Sequence, residues 1–221
     1  MARHWVPPPP VHSLIATLIG PFDPQSTCVL YSAIPPEIRN RILSFALYSY
    51  DDISRPYPDR SYYSRPGYRY HQHISTNLLA TCRRIYSETH DLPVSQNEHV
   101  FWGMSYRGPS RNIRSSPRWF FHKLTIEQRS AVVHVHLFTQ LRWLESNNFQ
   151  KVCELDDVHP QHLTITVRHT DWWGWETDTP LVMKYNWMDH LKYMKKLETL
   201  DVELETMEQN KDQVFNAGLI L

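Results

Sequence analysis

Two histidines in a strand-like segment come closest, by type and spacing, to a chemical site. The segment VVHVHLF (132–138) alternates with a period of two, so His134 and His136 share one face of the predicted strand. Two imidazoles on one strand face can begin a metal site, but a metal needs further ligands, and none stands nearby in the sequence. We therefore predict solvated or hydrogen-bonded histidines and no metal.

The sequence lacks the signatures of the common enzyme classes. No GxSxG, HExxH, GxxxxGK[ST] or GxGxxG pattern occurs, and only 6 of 221 residues are Gly. The cysteines Cys28, Cys82 and Cys153 are widely spaced and form no CxxC pair, which argues against a disulfide scaffold or structural zinc and fits a reducing compartment. The apolar run LIATLIG (14–20) is too short to span a membrane. We predict an intracellular, non-enzymatic protein without a cofactor.

Three tryptophans in the segment DWWGWE form a second candidate site. Trp172, Trp173 and Trp175 follow a predicted strand and are flanked by acidic residues. Neighbouring residues of an extended chain point to opposite sides, so we predict that one of Trp172 and Trp173 is buried and the other exposed. The cluster either anchors a peptide partner or caps the apolar end of the sheet.

Two arginine-rich stretches could bind something acidic. SRPYPDRSYYSRPGYRY (54–70) alternates arginine with tyrosine, and residues 105–118 hold four arginines and no acid. Tyrosine rings can stack on bases while guanidinium groups meet phosphates, so single-stranded nucleic acid is an alternative partner. The charge is also unevenly spread along the chain, with 14 Lys+Arg against 8 Asp+Glu up to Lys123 and 9 against 15 after it. The basic first half could approach an acidic partner or attract the acidic second half, and the charge asymmetry alone does not decide between them. We predict that residues 51–72 and 106–117 are irregular.

The segment IPPEIRNRILSFAL predicts an amphipathic helix from Pro36 to about Tyr48. Proline suits the first helical position, and Glu37 in the first turn meets the positive end of the helix dipole. Ile38 and Ile42 recur at helical spacing, and we expect both to be buried. A second helix is predicted over 77–91.

The later part of the chain alternates strand and helix patterns. Residues 132–138, 163–169 and 197–205 have period two, helical patterns separate them, and Thr125 with Gln128 forms a capping-box pattern. This order predicts a mixed α/β fold in which the three strands are parallel neighbours of one sheet.

Three blocks of the sequence resemble a fungal F-box-like protein family of unknown function. IPPEIRNRILSFAL is similar to the start of an F-box, while NLLATCRRIYSETHDLPVSQNEHVFW and LTITVRHTDWWGWE are similar to later segments of these proteins. The residue patterns and this resemblance together predict an irregular lead-in (1–33), an F-box-like helical unit with a long Tyr/Arg-rich loop (34–104) and a small, mostly parallel strand-helix array (119–221).

The function that this resemblance implies is binding of another protein. An F-box binds the adaptor of a cullin-type ubiquitin ligase, and the downstream array binds the protein to be ubiquitinated. On this resemblance, the residues that would lie on or behind the adaptor surface are Pro35, Glu37, Ile38, Ile42 and Leu43. The sequence departs from the F-box pattern at Ile34, in the long loop, and in lacking Cys-x-x-Trp near the third helix. The alternative is an F-box-like helix pair that only packs against the array.

Overall fold

The computed structural model describes residues 11, 13–18, 20–59, 67–103, 117–177, 179 and 181–212, and every structural statement below concerns these residues. Within them the chain forms a two-stranded antiparallel sheet and a four-stranded parallel sheet, together with short helices. The mixed α/β fold class predicted from the sequence is confirmed.

The N-terminal part combines short helices with a hairpin. Its elements are, in chain order, α1 (Val29–Ser32), α2 (Pro36–Ala46), β1 (Tyr50–Pro56), β2 (Tyr70–His73), α3 (Arg83–Thr89) and α4 (Leu92–Ser95). The 3-10 helices here span Leu14–Thr17 and Thr76–Ala80.

The rest of the described chain alternates strands with helices. Its elements are β3 (Glu98–Gly103), α5 (Pro117–Phe121), α6 (Ile126–Ser130), β4 (His134–Thr139), α7 (Leu141–Leu144), α8 (Asn147–Cys153), β5 (His162–Val167) and β6 (Thr199–Leu204). The 3-10 helices here span His169–Asp171, Trp175–Thr177, Tyr185–Tyr193 and Glu208–Asn210. Helix α6 begins with the predicted capping box, in which Thr125 and Gln128 each bind the other's backbone N–H.

The four-stranded sheet follows the order of the chain. Its strand order is β3-β4-β5-β6, and all three pairings are parallel. The prediction that residues 132–138, 163–169 and 197–205 are parallel neighbours is therefore confirmed, with β3 as a fourth strand beside them. When sequential parallel strands are joined by crossovers of the same handedness, the helices in those crossovers lie on the same face of the sheet.

One face of this sheet forms the hydrophobic core. Leu163, Ile165 and Val167 of β5 are fully buried, and Phe149 of α8 and Trp187 pack into the same cluster. The Phe149 and Trp187 rings meet edge to face, with their centroids 5.9 Å apart. The helices therefore cover this face of the sheet, and the opposite face consists of the alternate residues of each strand.

The prediction that residues 51–72 are irregular is wrong at both ends of that range. Strands β1 and β2 pair antiparallel, with Tyr50 opposite His73 and Asp52 opposite His71. A bulge before Pro56 interrupts the pairing, as expected where proline removes a ladder donor. Residues 60–66 and most of 106–117 lie outside the described residues, so the prediction stands untested there.

The single helix predicted over 77–91 is divided into a 3-10 helix and α3. Cys82 separates them because its backbone is extended, with φ −156° and ψ 160°. In this conformation its Sγ accepts a hydrogen bond from the backbone N–H of Ile85, 3.4 Å away, and so caps α3. Pro93 lies shortly after α3, in the first turn of α4, where proline is tolerated.

Candidate functional site

Helix α2 begins where the sequence predicts it to begin. Pro35 is the extended residue before the helix, Pro36 occupies the first helical position and Glu37 lies in the first turn. The helix ends at Ala46, two residues before the predicted end. Pro35 and Glu37 are exposed, so both are available to a partner.

The apolar stripe of α2 that was expected to be buried faces outward. Ile38, Ile42 and Phe45 have 52%, 42% and 69% of their surface exposed. The prediction that Ile38 and Ile42 are buried is therefore wrong. These residues stand at positions i, i+4 and i+7, so they form one continuous apolar face along the helix. Arg41 flanks this face, with its guanidinium 5.7 Å from the centre of the Phe45 ring.

A second stripe of α2 fixes the helix to the protein. Leu43 is 1% exposed, and Leu47 directly after the helix is fully buried. Leu43, proposed as a partner-binding residue, thus lies behind the exposed face. The end of the helix is held by Gln96, whose amide donates to the Ser44 carbonyl (2.9 Å), and by Asn97, whose amide donates to the Leu47 carbonyl (3.1 Å).

A buried arginine holds the other side of α2. Arg39 lies 3.6 Å from the Glu88 carboxylate of α3, and its guanidinium is 4.7 Å from the Tyr31 ring centre. The Tyr31 hydroxyl donates to the same carboxylate, and burial, followed by the Glu88 charge, raises the pKa of Tyr31 to about 12. These contacts orient α2 so that Ile38, Ile42 and Phe45 remain on the surface.

The tryptophan cluster divides between core and surface. Trp172 is 5% exposed and belongs to the hydrophobic core, whereas Trp173 is 62% exposed. The prediction of one buried and one exposed ring is confirmed. Trp175 is half-buried and packs against the core, and the Trp173 ring lies 5.4 Å from the guanidinium of Arg142.

The turn that carries these rings depends on Gly174. Its φ is +71°, a backbone conformation that residues with a side chain rarely adopt. A Cβ at this position would also lie 2.5 Å from the Thr179 Oγ1. The Trp173 side chain is therefore presented on a turn of defined geometry.

A third surface is the polar face of the parallel sheet, which the sequence did not reveal as one unit. The strand register aligns Glu98, His134, His162 and Thr199 in one row across all four strands. The His134 and His162 rings stack with their centroids 4.5 Å apart, and the His162 Nδ1 lies 2.6 Å from the Thr199 Oγ1. Burial, followed by the charge of His162, lowers the pKa of His134.

His136 lies at the centre of a hydrogen-bond network on this face. Its Nε2 is 2.7 Å from the Thr166 Oγ1, and its Nδ1 is 3.4 Å from a Glu98 oxygen and 3.2 Å from the Tyr68 hydroxyl. The hydrogen bond with His136 is the main cause that lowers the pKa of Glu98. The predicted common face of His134 and His136 is confirmed, but their partners come from distant segments of the chain.

Among the described residues, no group of three or more histidine, cysteine, aspartate or glutamate side chains is placed to bind a metal ion. In the same part of the chain, none of the helices has the length and apolar character needed to cross a membrane. Compared with known proteins, the chain matches no family model, no curated protein and no solved structure. Its function must therefore be argued from the surfaces described above.

Proposed function

We propose that this chain is a non-enzymatic, F-box-like protein that binds another protein through the exposed face of α2. The observation that carries the proposal is the outward position of Ile38, Ile42 and Phe45 on a helix whose other side is firmly packed. The partner that the F-box-like sequence favours is the adaptor of a cullin-type ubiquitin ligase, with this chain as the substrate-recognition subunit.

The spacing of the exposed residues supports a helix-in-groove mode of binding. Apolar anchors at i, i+4 and i+7 lie along one side of a helix and fit an apolar groove on a partner. Because about half of each side chain is still accessible, burying it is expected to contribute about 1 kcal/mol per residue. Glu37 and Arg41 beside this stripe would lie at the polar rim of such an interface.

The fixed orientation of α2 also favours binding. The contacts of Arg39 with Glu88 and of Asn97 with Leu47 hold the helix in place before a partner arrives. A binding surface that is already ordered loses less conformational freedom on association, so more of its contact energy appears as affinity.

The strand-helix array would supply the second binding surface of such a subunit. Among the described aromatic side chains of this array, Trp173 is the most exposed, and it lies on a turn defined by Gly174. Tryptophan is enriched among the residues that dominate binding energies. In this proposal the α2 face binds the adaptor and Trp173 contacts the protein to be ubiquitinated.

A pull-down with the purified adaptor of a cullin-type ligase tests the proposal. We expect the full chain to retain the adaptor and the double variant Ile38→Ser/Ile42→Ser to lose most of it, by about tenfold or more, because two central anchors are removed. The matched control is Ile126→Ser, which alters an isoleucine of α6 that is also exposed. No retention by the wild-type chain, or equal retention by all three proteins, would contradict the proposal.

A further inference from the structure

We propose that the outer edge of β6 is a docking site for an extended segment of another protein in which basic and apolar residues alternate. The segment would extend the four-stranded parallel sheet by one strand, as peptides do when they pair with an exposed strand edge. The proposal is independent of the proposed function, because it concerns the end of the strand-helix array and not the exposed face of α2.

Strand β6 ends the parallel sheet among the residues that the structure describes. The strand order is β3-β4-β5-β6, so β6 has a neighbouring strand on one side only. It pairs with β5 in an unbroken register from Thr199 to Leu204, and its sequence contains no proline. Natural edge strands are commonly interrupted by prolines or bulges that prevent further pairing. The regular edge of β6 is therefore suited to receive another strand.

The backbone of β6 leaves donors and acceptors on its outer side. The N–H groups of Thr199, at the start of β6, and of Glu205, directly after it, donate to backbone carbonyls on the β5 side at 3.0 and 3.1 Å. In a parallel pair, alternate residues of a strand bond to a given neighbour. The residues between these alternate positions therefore direct their N–H and C=O groups away from β5, namely Leu200, Val202 and Leu204.

The face of β6 that is covered by helices determines where a docked segment would need apolar residues. Leu200, Val202 and Leu204 point to this face and are half-buried against the hydrophobic core. Side chains of adjacent strands pack against each other when they lie on the same face of a sheet. Apolar residues at alternate positions of an added strand would cover the apolar surface that these three residues still expose.

The opposite face of β6 carries negative charge beside the edge. Asp201 and Glu203 are exposed, and in the described part of the chain neither forms an ion pair with lysine or arginine. Glu203 accepts a hydrogen bond from the uncharged Thr166 hydroxyl, so its negative charge remains. Opposite charges on adjacent strands stabilise their pairing. Lysine or arginine would therefore be favoured at the positions of an added strand that lie beside Asp201 and Glu203.

The same charges disfavour a second copy of this chain as the occupant of the edge. Two β6 strands paired about a two-fold axis perpendicular to the sheet would keep both acidic rows on one face. Asp201 and Glu203 would then stand opposite carboxylates of the other copy, and like charges in this position are destabilising. Turning one copy over would place its acidic row beside the apolar row of the other. The pattern thus favours a basic segment of a different protein.

Fluorescence anisotropy of the full chain with the labelled peptide Lys-Val-Lys-Val-Lys-Val-Lys tests the proposal. We expect saturable binding at physiological ionic strength. A peptide of the same composition with all lysines before the valines should bind at least about tenfold more weakly, because it cannot match both faces of β6. Of two N-methylated peptides, one at the lysine and one at the valine amides, only one should lose binding, because an added strand directs alternate N–H groups to its neighbour.

Variants of β6 test the site on the protein. Val202→Pro removes an outward N–H group without removing a hydrogen bond to β5, and proline is tolerated at such positions of edge strands. Asp201→Lys/Glu203→Lys reverses the charge and leaves the outward backbone groups in place. Each should weaken binding by about tenfold or more. The control is Glu154→Lys/Glu176→Lys, which changes the net charge equally at exposed positions outside β6 and should bind as the wild type does.

Three results would overturn the proposal. The first is the absence of binding by the wild-type chain. The second is an equal loss of affinity in both charge-reversed proteins, because the attraction would then not be specific to β6. The third is binding that appears only after residues 213–221 are removed, because the edge would then be occupied from within the chain. Circular dichroism checks that each variant is folded, and the charge reversal decides the test if Val202→Pro does not fold.

Discussion

Replacing Leu43 with alanine is expected to lower the free energy of unfolding by about 2–5 kcal/mol, whereas the same change at the neighbouring Ile42 should cost under about 1 kcal/mol. The reason is that Leu43 is 1% exposed and Ile42 is 42% exposed, although both are apolar residues of α2. Truncating a buried leucine leaves a cavity in the core. Truncating an exposed isoleucine leaves no cavity and only reduces the apolar surface in contact with water. Urea unfolding of the two variants and the wild-type chain measures both values.

The comparison also tests the orientation of α2. Leu43→Ala and Ile42→Ala remove side chains of similar size from adjacent positions, so their difference reports burial and not helix propensity. A larger loss of stability for Ile42→Ala than for Leu43→Ala would mean that the helix packs through its other stripe. The exposed face proposed for partner binding would then not exist in the free protein.

Trp172→Ala is expected to lower the free energy of unfolding by about 3–5 kcal/mol, while Trp173→Ala should leave it within about 0.5 kcal/mol of the wild type. Trp172 belongs to the core, whereas Trp173 is largely exposed and its truncation removes a surface contact with Arg142. Thermal or chemical unfolding of the two single variants measures the difference. The critical result is that Trp172→Ala is less stable than Trp173→Ala. An equal loss of unfolding free energy in both variants would contradict the division of the cluster into a core ring and a surface ring.

The same two variants separate packing from binding. If Trp173 anchors the protein to be ubiquitinated, Trp173→Ala should reduce ubiquitination of that protein without reducing the retention of the adaptor by the α2 face. Trp173→Phe retains an aromatic ring at this position and serves as the conservative control. A Trp173→Ala protein with undiminished substrate ubiquitination would limit the role of the cluster to covering the end of the core.

The strands of the parallel sheet could be predicted from the sequence because their signal is local. Leu163, Ile165 and Val167 alternate with polar residues, and long segments with helical patterns separate this strand from its neighbours. Such crossovers do not make hairpins, so parallel pairing follows from the order of the elements. The hairpin of β1 and β2 gave no comparable signal, since its strands are polar, short and separated by a long arginine- and tyrosine-rich segment.

The position of α2 in the sequence could be predicted, but the side that it buries could not. Ile38, Ile42 and Phe45 form one apolar stripe, and Leu43 with Leu47 forms another. Periodicity detects both stripes and does not rank them. The choice depends on tertiary partners, namely Glu88 for Arg39 and Asn97 for the Leu47 carbonyl, which stand about fifty residues later in the chain.

The contacts on the polar face of the sheet could not be predicted from the sequence either. The sequence places His134 and His136 on one face, yet it does not state which residues of the adjacent strands stand beside them. That information lies in the register, which pairs His134 with His162 and brings Thr166 within reach of His136. Register depends on how whole strands pack, so a single sequence does not reveal the network around His136.

Site-specific photo-crosslinking at position 42 tests the central claim most directly. A photoreactive phenylalanine analogue is placed at Ile42 or, as the control, at Ile126, which is more exposed than Ile42. Each protein is irradiated with the purified adaptor of a cullin-type ligase. The account predicts a covalent product with the adaptor from position 42 and none from position 126. Binding of the adaptor without any crosslink from position 42, or with equal crosslinking from both positions, would contradict the claim that α2 is the binding surface.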